Sequence, residues 1–174
     1  QRIIEKRVIE KIEENFRLHG FINIETCGVE SYESLIKKGD GKEIYRLSKE
    51  GSGEENLGLH FDLTLPLSRY VLERRGELVF PFRRYQIQKV WRGERPQNGR
   101  YREFYQADID IVSQGELPSH FEYEVPMAMC DTLKSLSALG LGSFSMHINN
   151  RKLSEGFYRA LGIEEIEETL RRID

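Results

Sequence analysis

The 174-residue sequence has few cysteines and no long apolar run. Cys27 and Cys130 are its two cysteines; they form no CxxC pair, and neither has an obvious metal-ligand partner nearby. We therefore expect buried free thiols in a reducing cytoplasm, and no metal site. No stretch approaches about 18 consecutive apolar residues, so no membrane span is expected. The opening segment, QRIIEKRVIEKIEENF, also lacks the apolar region of a secretory signal.

A general excess of basic charge is missing too. The net charge of −3 argues against a protein that binds nucleic acid over its whole surface. Residues 83–102 nevertheless carry a net charge of +6, which leaves −9 on the rest of the chain. This basic segment contains seven lysines and arginines: Arg83, Arg84, Lys89, Arg92, Arg95, Arg100 and Arg102. It indicates either a local polyanion site or a solvated charged hairpin, and composition fits both.

Hydrophobic periodicity divides the chain into short helices and strands. Ile4, Val8, Ile12 and Phe16 recur at four-residue spacing and predict an amphipathic helix that stops at Gly20. Thr64 is placed to cap a helix that runs to residue 74. The Ser119-x-x-Glu122 pattern predicts a capping box for a helix ending near residue 140, with Pro126 kinking that helix or marking its start. We also expect helices at 31–38, 151–161 and 164–174, and strands at 21–25, 43–47, 57–62 and 144–148.

Two longer strands, at 84–92 and 103–112, alternate with period two around the loop GERPQNGRY. They predict an antiparallel hairpin with a long basic loop. The second strand presents a core face and a polar face. Its core face comprises Tyr105, Ala107, Ile109 and Ile111, and its polar face comprises Phe104, Gln106, Asp108 and Asp110. The first strand presents Gln86, Gln88, Val90 and Arg92.

The polar face of this hairpin is either solvent-exposed or a binding site. If the polar faces of the two strands coincide, Arg92 lies near carboxylates and amides, with more arginines above it. Carboxylates and amides bind amino groups and ring N–H groups, whereas guanidinium groups clamp phosphate oxygens. A site that combines them would join an amino acid to a nucleotide.

Three segments of the sequence resemble the histidyl-tRNA synthetase family. KVWRGERPQNGRYREFYQADIDIV resembles motif 2 of class II aminoacyl-tRNA synthetases in the form specific to that family. GLHFDLTLPLSRYV resembles the segment that begins the family's histidine site, and HINNRKL resembles a further downstream segment. With a motif 1-like region at 1–30, the resemblance covers essentially the whole chain. His60 stands where many members have arginine, and Cys27 and Gly28 stand where motif 1 usually has a proline.

The resemblance implies roles for individual residues. Arg92, the catalytic residue, would bind the ATP α-phosphate and the histidine carboxylate, and Asp110 would accept an imidazole N–H. The ATP-binding residues are Arg92, Glu94 and Phe104 at the adenine and α-phosphate, and Arg100 at the γ-phosphate. The histidine-binding residues are Asp62 and Thr64 at the α-amino group, with Arg92, Gln106 and Asp110. Arg95 and Gln97 would approach the tRNA acceptor end. Helix capping is the alternative role for Asp62 and Thr64.

The resemblance also implies a fold and a reaction. The fold is expected to be α+β, a mainly antiparallel sheet flanked by helices, as part of a class II catalytic core. One partial catalytic domain would span 1–174, with the histidine-site segment at 57–74 and the motif 2 hairpin at 84–112. Motif 3 and the anticodon-binding domain are absent, so we expect this chain alone to be inactive. The full enzyme would be a cytoplasmic homodimer that uses ATP and Mg²⁺ to join L-histidine to tRNA(His).

Two other interpretations compete with this one. A non-catalytic paralogue, such as the regulatory subunit of ATP phosphoribosyltransferase, tends to lose motif 2 arginines, whereas this chain keeps Arg92, Arg95 and Arg100. A plain nucleic-acid-binding module could use the basic hairpin, but it would have no use for Gln106 and Asp110 on the inner face.

Overall fold

The computed structural model describes residues 2–36, 41, 43–48, 56–93, 95 and 98–173. The chain divides into two compact units, Gln1–Leu141 and Gly142–Asp174. In the first unit the helices are α1 (Arg2–Leu18), α2 (Tyr32–Leu35), α3 (Thr64–Arg74) and α4 (Phe121–Ser135), and the strands are β1 (Ile22–Asn23), β2 (Val29–Ser31), β3 (Arg46–Leu47), β4 (Leu57–Leu59), β5 (Phe82–Trp91) and β6 (Glu103–Val112). The second unit contains α5 (Arg151–Ala160) and α6 (Ile166–Ile173). None of the helices among the described residues is both long and apolar enough to cross a membrane.

The fold is α+β, as expected, and its main sheet has the order β1-β5-β6. Strands β5 and β6 pair antiparallel over their whole length, from Phe82 opposite Val112 to Trp91 opposite Glu103. The predicted hairpin is therefore confirmed. Strand β1 is shorter than predicted because only Ile22 and Asn23 pair with β5, in parallel.

Helices α1 and α4 cover one face of this sheet. Phe16 and Phe21 pack against Tyr85 of β5 and Ala128 of α4, with ring centroids of Phe16 and Tyr85 5.7 Å apart. Residues that border this cluster include Ile87, Ala107, Ile109 and Ile111, which confirms three residues of the predicted core face of β6. The fourth, Tyr105, is exposed. Gly20 has a φ of +77° and ends α1 as predicted, because glycine adopts this left-handed conformation without a steric penalty.

A second small sheet, in the order β2-β4-β3, lies beside the end of the β5–β6 hairpin. The strands expected at 43–47 and 57–62 form in shorter versions, as β3 and β4, and they pair antiparallel with Leu47 opposite Leu57. Backbone hydrogen bonds tie this sheet to β5: Trp91 N–H donates to His60 O at 3.1 Å, and Gly93 N–H donates to Glu43 O at 2.7 Å. A Cβ at position 93 would lie 3.0 Å from that Glu43 oxygen, so the close approach favours glycine.

Helix α3 covers the opposite face of the sheet near the start of β5. Leu67 packs with Ile24 and Phe82 in a second apolar cluster. The helix bounds agree with the prediction, but the cap is different. The Oδ1 atom of Asp62 accepts the backbone N–H groups of Thr64 at 3.2 Å and Leu65 at 3.3 Å, whereas the side chain of Thr64 is exposed. Asp62 therefore caps α3, because its carboxylate precedes the first turn and reaches the N–H groups there.

Several local predictions are wrong. Ser119 does not form a capping box: its backbone carbonyl accepts Glu122 N–H, and no side chain caps α4. Of the two alternatives for Pro126, the structure excludes the start of the helix, because the residue lies inside α4. No strand forms at 144–148, and residues 141–150 are neither helix nor strand. Alternating side chains give a segment two different faces, but a strand also needs a neighbouring strand to which its backbone can hydrogen-bond. The two cysteines form no disulfide, but they are not fully buried as expected: Cys27 is exposed in the connection between β1 and β2, and Cys130 is partly buried.

Candidate active site

The polar face of the β5–β6 hairpin lies on the side of the sheet opposite α1 and α4. The antiparallel register places four pairs of side chains opposite each other on this face: Arg84 and Asp110, Gln86 and Asp108, Gln88 and Gln106, and Val90 and Phe104. The polar faces of the two strands therefore coincide, which was the condition for treating the hairpin as a binding site.

Arg92 follows the last residue of β5 and is fixed by three contacts. Its Nε donates to the carbonyl of Phe61 at 3.2 Å, and its Nη2 donates to Oε1 of Gln106 at 3.1 Å. Its guanidinium also lies 5.1 Å from the centroid of the Phe104 ring. The guanidinium, which is half-buried, is thus oriented before any ligand binds.

Asp108 sets the orientation of the Gln106 amide. The Nε2 of Gln106 donates to Oδ2 of Asp108 at 2.9 Å and to Oδ1 at 3.2 Å. Because a carboxylate only accepts hydrogen bonds, the amide nitrogen faces Asp108 and the amide oxygen faces Arg92. Asp108, Gln106 and Arg92 therefore form one hydrogen-bonded chain across the hairpin.

Arg84 was not among the predicted site residues, yet it lies on this face, opposite Asp110. Its side chain is fully buried, it forms an ion pair with Asp110, and its Nη1 donates to Oε1 of Gln86 at 3.3 Å. Burial lowers the pKa of Arg84, while the charges of Asp110 and Asp108 oppose that shift. Arg84 lies two residues before Gln86 and four before Gln88, so period-two alternation places it on the polar face. This spacing could have identified it from the sequence.

The two glutamines of β5 hold the segment that follows β1. Gln88 Oε1 accepts the backbone N–H of Thr26 at 3.1 Å, and Gln88 Nε2 donates to the Thr26 carbonyl at 2.9 Å. Gln86 Nε2 donates to the Thr26 hydroxyl at 2.8 Å. Thr26 therefore occupies the part of the polar face beside Gln86 and Gln88, and these hydrogen bonds stabilise the fold.

A cavity of about 400 Å³ lies beside Arg92, at the base of the basic loop. Its lining includes three arginines and two aromatic rings, with the residues Arg92, Arg95, Gly99, Arg100, Tyr101 and Phe104. This volume falls in the usual range for small-ligand pockets. Guanidinium groups beside an aromatic ring suit a ligand that combines phosphates with a planar base. The remaining two predicted loop residues, Glu94 and Gln97, lie outside the described residues.

Asp62 and His60 flank the Phe61 carbonyl that Arg92 contacts. Asp62 is 6% exposed and caps α3, as described above. His60 is 1% exposed; its Nε2 lies 2.7 Å from the carbonyl of Lys89, and its ring packs on Trp91 with centroids 5.5 Å apart. His60 thus joins the second sheet to β5. Within the described part of the chain, no group of three or more His, Cys, Asp or Glu residues could hold a metal ion.

Comparisons with known proteins find similar sequences and structures. The sequence model described as histidyl-tRNA synthetase matches residues 4–173. A histidine–tRNA ligase from Bifidobacterium longum subsp. infantis is 56% identical over 183 residues, which cover 100% of this chain and 39% of the relative. The crystal structure of histidyl-tRNA synthetase from Nostoc sp. PCC 7120 has a TM-score of 0.80 at 34% identity and covers 94% of this chain and 37% of that one.

A regulatory protein also shares this fold. The structure of an ATP phosphoribosyltransferase regulatory subunit/histidyl-tRNA synthetase from Bacillus halodurans C has a TM-score of 0.67 at 24% identity, covering 82% of this chain and 35% of that one. That similarity concerns the fold alone. The chain spans about two fifths of the length of the curated relatives it matches.

Proposed function

The chain belongs to the histidyl-tRNA synthetase family, and from this premise we propose that its β5–β6 face activates histidine with ATP. The activated histidine is then transferred to tRNA(His) by a ligase of the full length seen in the relatives. The observation that carries the proposal is the position of Arg92. It is fixed by Phe61, Gln106 and Phe104 at the boundary between an arginine-lined cavity and a carboxylate-bearing sheet face.

The cavity is proposed as the ATP site. Arg92 binds the α-phosphate, Arg100 binds the γ-phosphate, and the ring of Phe104 stacks on the adenine, which Glu94 also helps to seat. The arginines and the aromatic ring that line the cavity fit these roles. Mg²⁺, held by ATP phosphate oxygens, would neutralise charge on the phosphates. Arg95 lies in the same cavity lining, and we propose that Arg95 and Gln97 approach the tRNA acceptor end.

The neighbouring sheet face is proposed as the histidine site. Gln106 and Asp110 read the imidazole ring, Asp62 and Thr64 hold the α-amino group, and Arg92 binds the carboxylate. Asp110 supports this role because 36% of its side chain is exposed on the face that carries Arg92 and Gln106. Asp62 combines its role with capping α3, since one of its oxygens already accepts two backbone N–H groups.

The chemistry follows from positioning and charge. An oxygen of the histidine carboxylate attacks the ATP α-phosphorus, and the bond to pyrophosphate breaks, which leaves histidyl-adenylate. A terminal ribose hydroxyl of the tRNA then attacks the histidyl carbonyl carbon, and AMP leaves. Neither step needs a nucleophile from the protein. Arg92 and the loop arginines stabilise the negative charge on the phosphorus in the transition state.

From the membership of the family we also propose the domain organisation, the oligomeric state and the cellular location. The 174 residues form one partial catalytic domain, with a motif 1-like region at 1–30, the histidine-site segment at 57–74 and the motif 2 hairpin at 84–112. The full-length ligase works as a cytoplasmic homodimer. The isolated chain should be inactive, because it spans only about two fifths of the length of its relatives.

Histidine-dependent exchange of pyrophosphate into ATP tests the proposed reaction. A full-length protein that contains this chain should catalyse exchange with histidine and not with other amino acids. A regulatory paralogue would bind histidine without exchange, and a plain nucleic-acid-binding module would bind tRNA without responding to histidine. Either of those results would refute the proposed function.

A further inference from the structure

Arg84 lies beneath Asp110 on the polar face, where no ligand can reach it. Its side chain is 0% exposed, whereas 36% of the Asp110 side chain remains exposed. A ligand on this face can therefore contact the Asp110 carboxylate but not the guanidinium behind it. Any effect of Arg84 on a ligand must act through Asp110, so Arg84 is a positioning residue rather than a catalytic one.

The environment of Arg84 holds its guanidinium in one place. Its Nη1 donates to Oε1 of Gln86, and the Nε2 of Gln86 donates to the hydroxyl of Thr26. A buried guanidinium is costly unless a carboxylate compensates its charge, and Asp110 supplies that carboxylate. The planar guanidinium therefore fixes both the charge and the direction of the Asp110 carboxylate from the inner side.

Arg84 compensates the charge of Asp110 locally. Asp108 and Asp110 share this face with two arginines, Arg84 and Arg92, and Arg84 forms the ion pair with Asp110. Two further acids lie next to the face: Glu25, whose Oε1 accepts Gln88 Nε2, and Asp62, which follows the Phe61 carbonyl. Without Arg84 the carboxylate of Asp110 would be uncompensated, in surroundings that are already net negative. It would then attract cationic side chains, since a charged ligand is favoured beside uncompensated opposite charge.

We propose that Arg84 makes Asp110 a charge-neutralised acceptor, so that the site takes the uncharged imidazole ring and rejects cationic side chains. This inference rests on the proposed function and adds a specificity residue to it. A neutral imidazole N–H needs an oriented acceptor, which the ion-paired carboxylate still provides on its exposed side. Lysine, arginine and the imidazolium form of histidine instead require a carboxylate whose charge is not already compensated, and the ion pair with Arg84 compensates that of Asp110.

Exchange kinetics in a full-length ligase that contains this chain test the proposal. Arg84→Gln should raise the KM for histidine about tenfold and change the KM for ATP less than about twofold. L-Lysine, added as a competitor of histidine, should bind the variant at least about tenfold more tightly than the wild type. The kcat/KM for histidine should also shift towards acidic pH, because the imidazolium form becomes the preferred ligand.

Three further variants separate positioning from structural damage. Arg83→Gln is the matched control: Arg83 precedes Arg84 but contacts Glu124 on the opposite side of the sheet, so it should alter neither lysine binding nor the pH profile. Arg84→Lys should restore the exclusion of lysine because it restores the charge. Arg84→Gln combined with Asp110→Asn should lose the gain in lysine binding, because the uncompensated carboxylate is gone.

The outcomes distinguish the two proposals. A wild-type protein that shows no histidine-dependent exchange refutes the proposed function. An active wild type whose Arg84→Gln variant keeps the same lysine binding and the same pH profile overturns the role of Arg84 alone. If Arg84→Gln does not fold, Arg84→Lys decides the question, and tight lysine binding by that variant would contradict the proposal.

Discussion

Arg92 and Gln106 are joined across the β5–β6 hairpin by a hydrogen bond of 3.1 Å from Nη2 to Oε1. Arg92 faces the arginine-lined cavity, and Gln106 stands on the strand that also carries Asp110. The bond therefore connects the surface proposed for ATP with the surface proposed for histidine. It holds the cation that we propose to bind both substrates, so the ligands would not need to order that side chain when they bind.

Replacing Arg92 should affect the chemical step more than the fold. We expect Arg92→Ala in the full-length ligase to lower the rate of adenylate formation about 10²-fold or more, because one preorganised charge at the α-phosphate is lost. Single-turnover adenylate formation measures this rate. The exposed Arg75→Ala, at the end of α3, is the control and should be near wild type. A loss below about fivefold would show that the phosphate clamp lies elsewhere.

Phe104 should contribute to ATP binding through its ring. Stacking of an aromatic side chain on a base is commonly worth about 1–3 kcal/mol, so Phe104→Leu should raise the KM for ATP about tenfold, with little change for histidine. Phe104→Tyr keeps the ring and should bind ATP normally. Tyr105→Leu is the matched control, because Tyr105 is the next residue and points to the other face of the sheet. An equal effect of both leucine variants would contradict the stacking role.

Asp108 should act through the orientation of Gln106. Asp108→Leu removes both acceptors of the Gln106 amide, which can then turn its nitrogen towards Arg92. We expect the KM values for histidine and for ATP each to rise about three- to tenfold. Asp108→Asn keeps one acceptor and should stay within about threefold of wild type. If the asparagine variant is as impaired as the leucine variant, the charge of Asp108 matters more than its orienting role.

The sequence was most informative where regular alternation extended over ten residues. The bounds of β6 and the division of its side chains between two faces followed from period two, because side chains alternate along a strand. The coincidence of the two polar faces was only a condition at that point, and the register of β5 and β6 meets it. Strand β2 was missed, since its three residues depend on pairing with β4, which is distant in sequence. The strand expected at 144–148 failed for the converse reason: the alternating pattern found no partner.

Within the site, residue types were easier to predict than their partners. Arg92 contacts Gln106 and Phe104, and its position beside an amide is the one expected if the polar faces of the two strands coincide. The burial of Arg84 could not be predicted from its own position, because arginine on a strand is usually exposed, and its burial depends on Asp110 in the opposite strand. Asp62 caps α3 for a local reason. The backbone between Asp62 and the first turn of the helix brings the carboxylate within reach of the N–H groups of Thr64 and Leu65.

The last prediction concerns the dependence of stability on pH, through Glu124 of α4. Arg83 contacts Glu124 and donates from Nη2 to the carbonyl of His19 at 2.6 Å, so it joins α4, β5 and the end of α1. The hydrogen bond from Arg83 lowers the pKa of Glu124, and burial opposes that shift only in part. A lowered pKa in the folded state means that the unfolded chain binds more protons in the acid range.

The sign of the effect follows directly. The stabilisation from Glu124 is complete above the ordinary carboxyl pKa, and it disappears as the pH falls through the lowered pKa of the folded state. Glu124→Gln should therefore reduce the free energy of unfolding near neutral pH, by less than about 1 kcal/mol for this partly exposed pair. The difference from wild type should shrink towards zero in acid. Urea unfolding of both proteins across this pH range measures it, with the exposed Glu122→Gln as control. A difference between Glu124→Gln and wild type that does not change with pH would show that the glutamine variant acts through packing and not through charge.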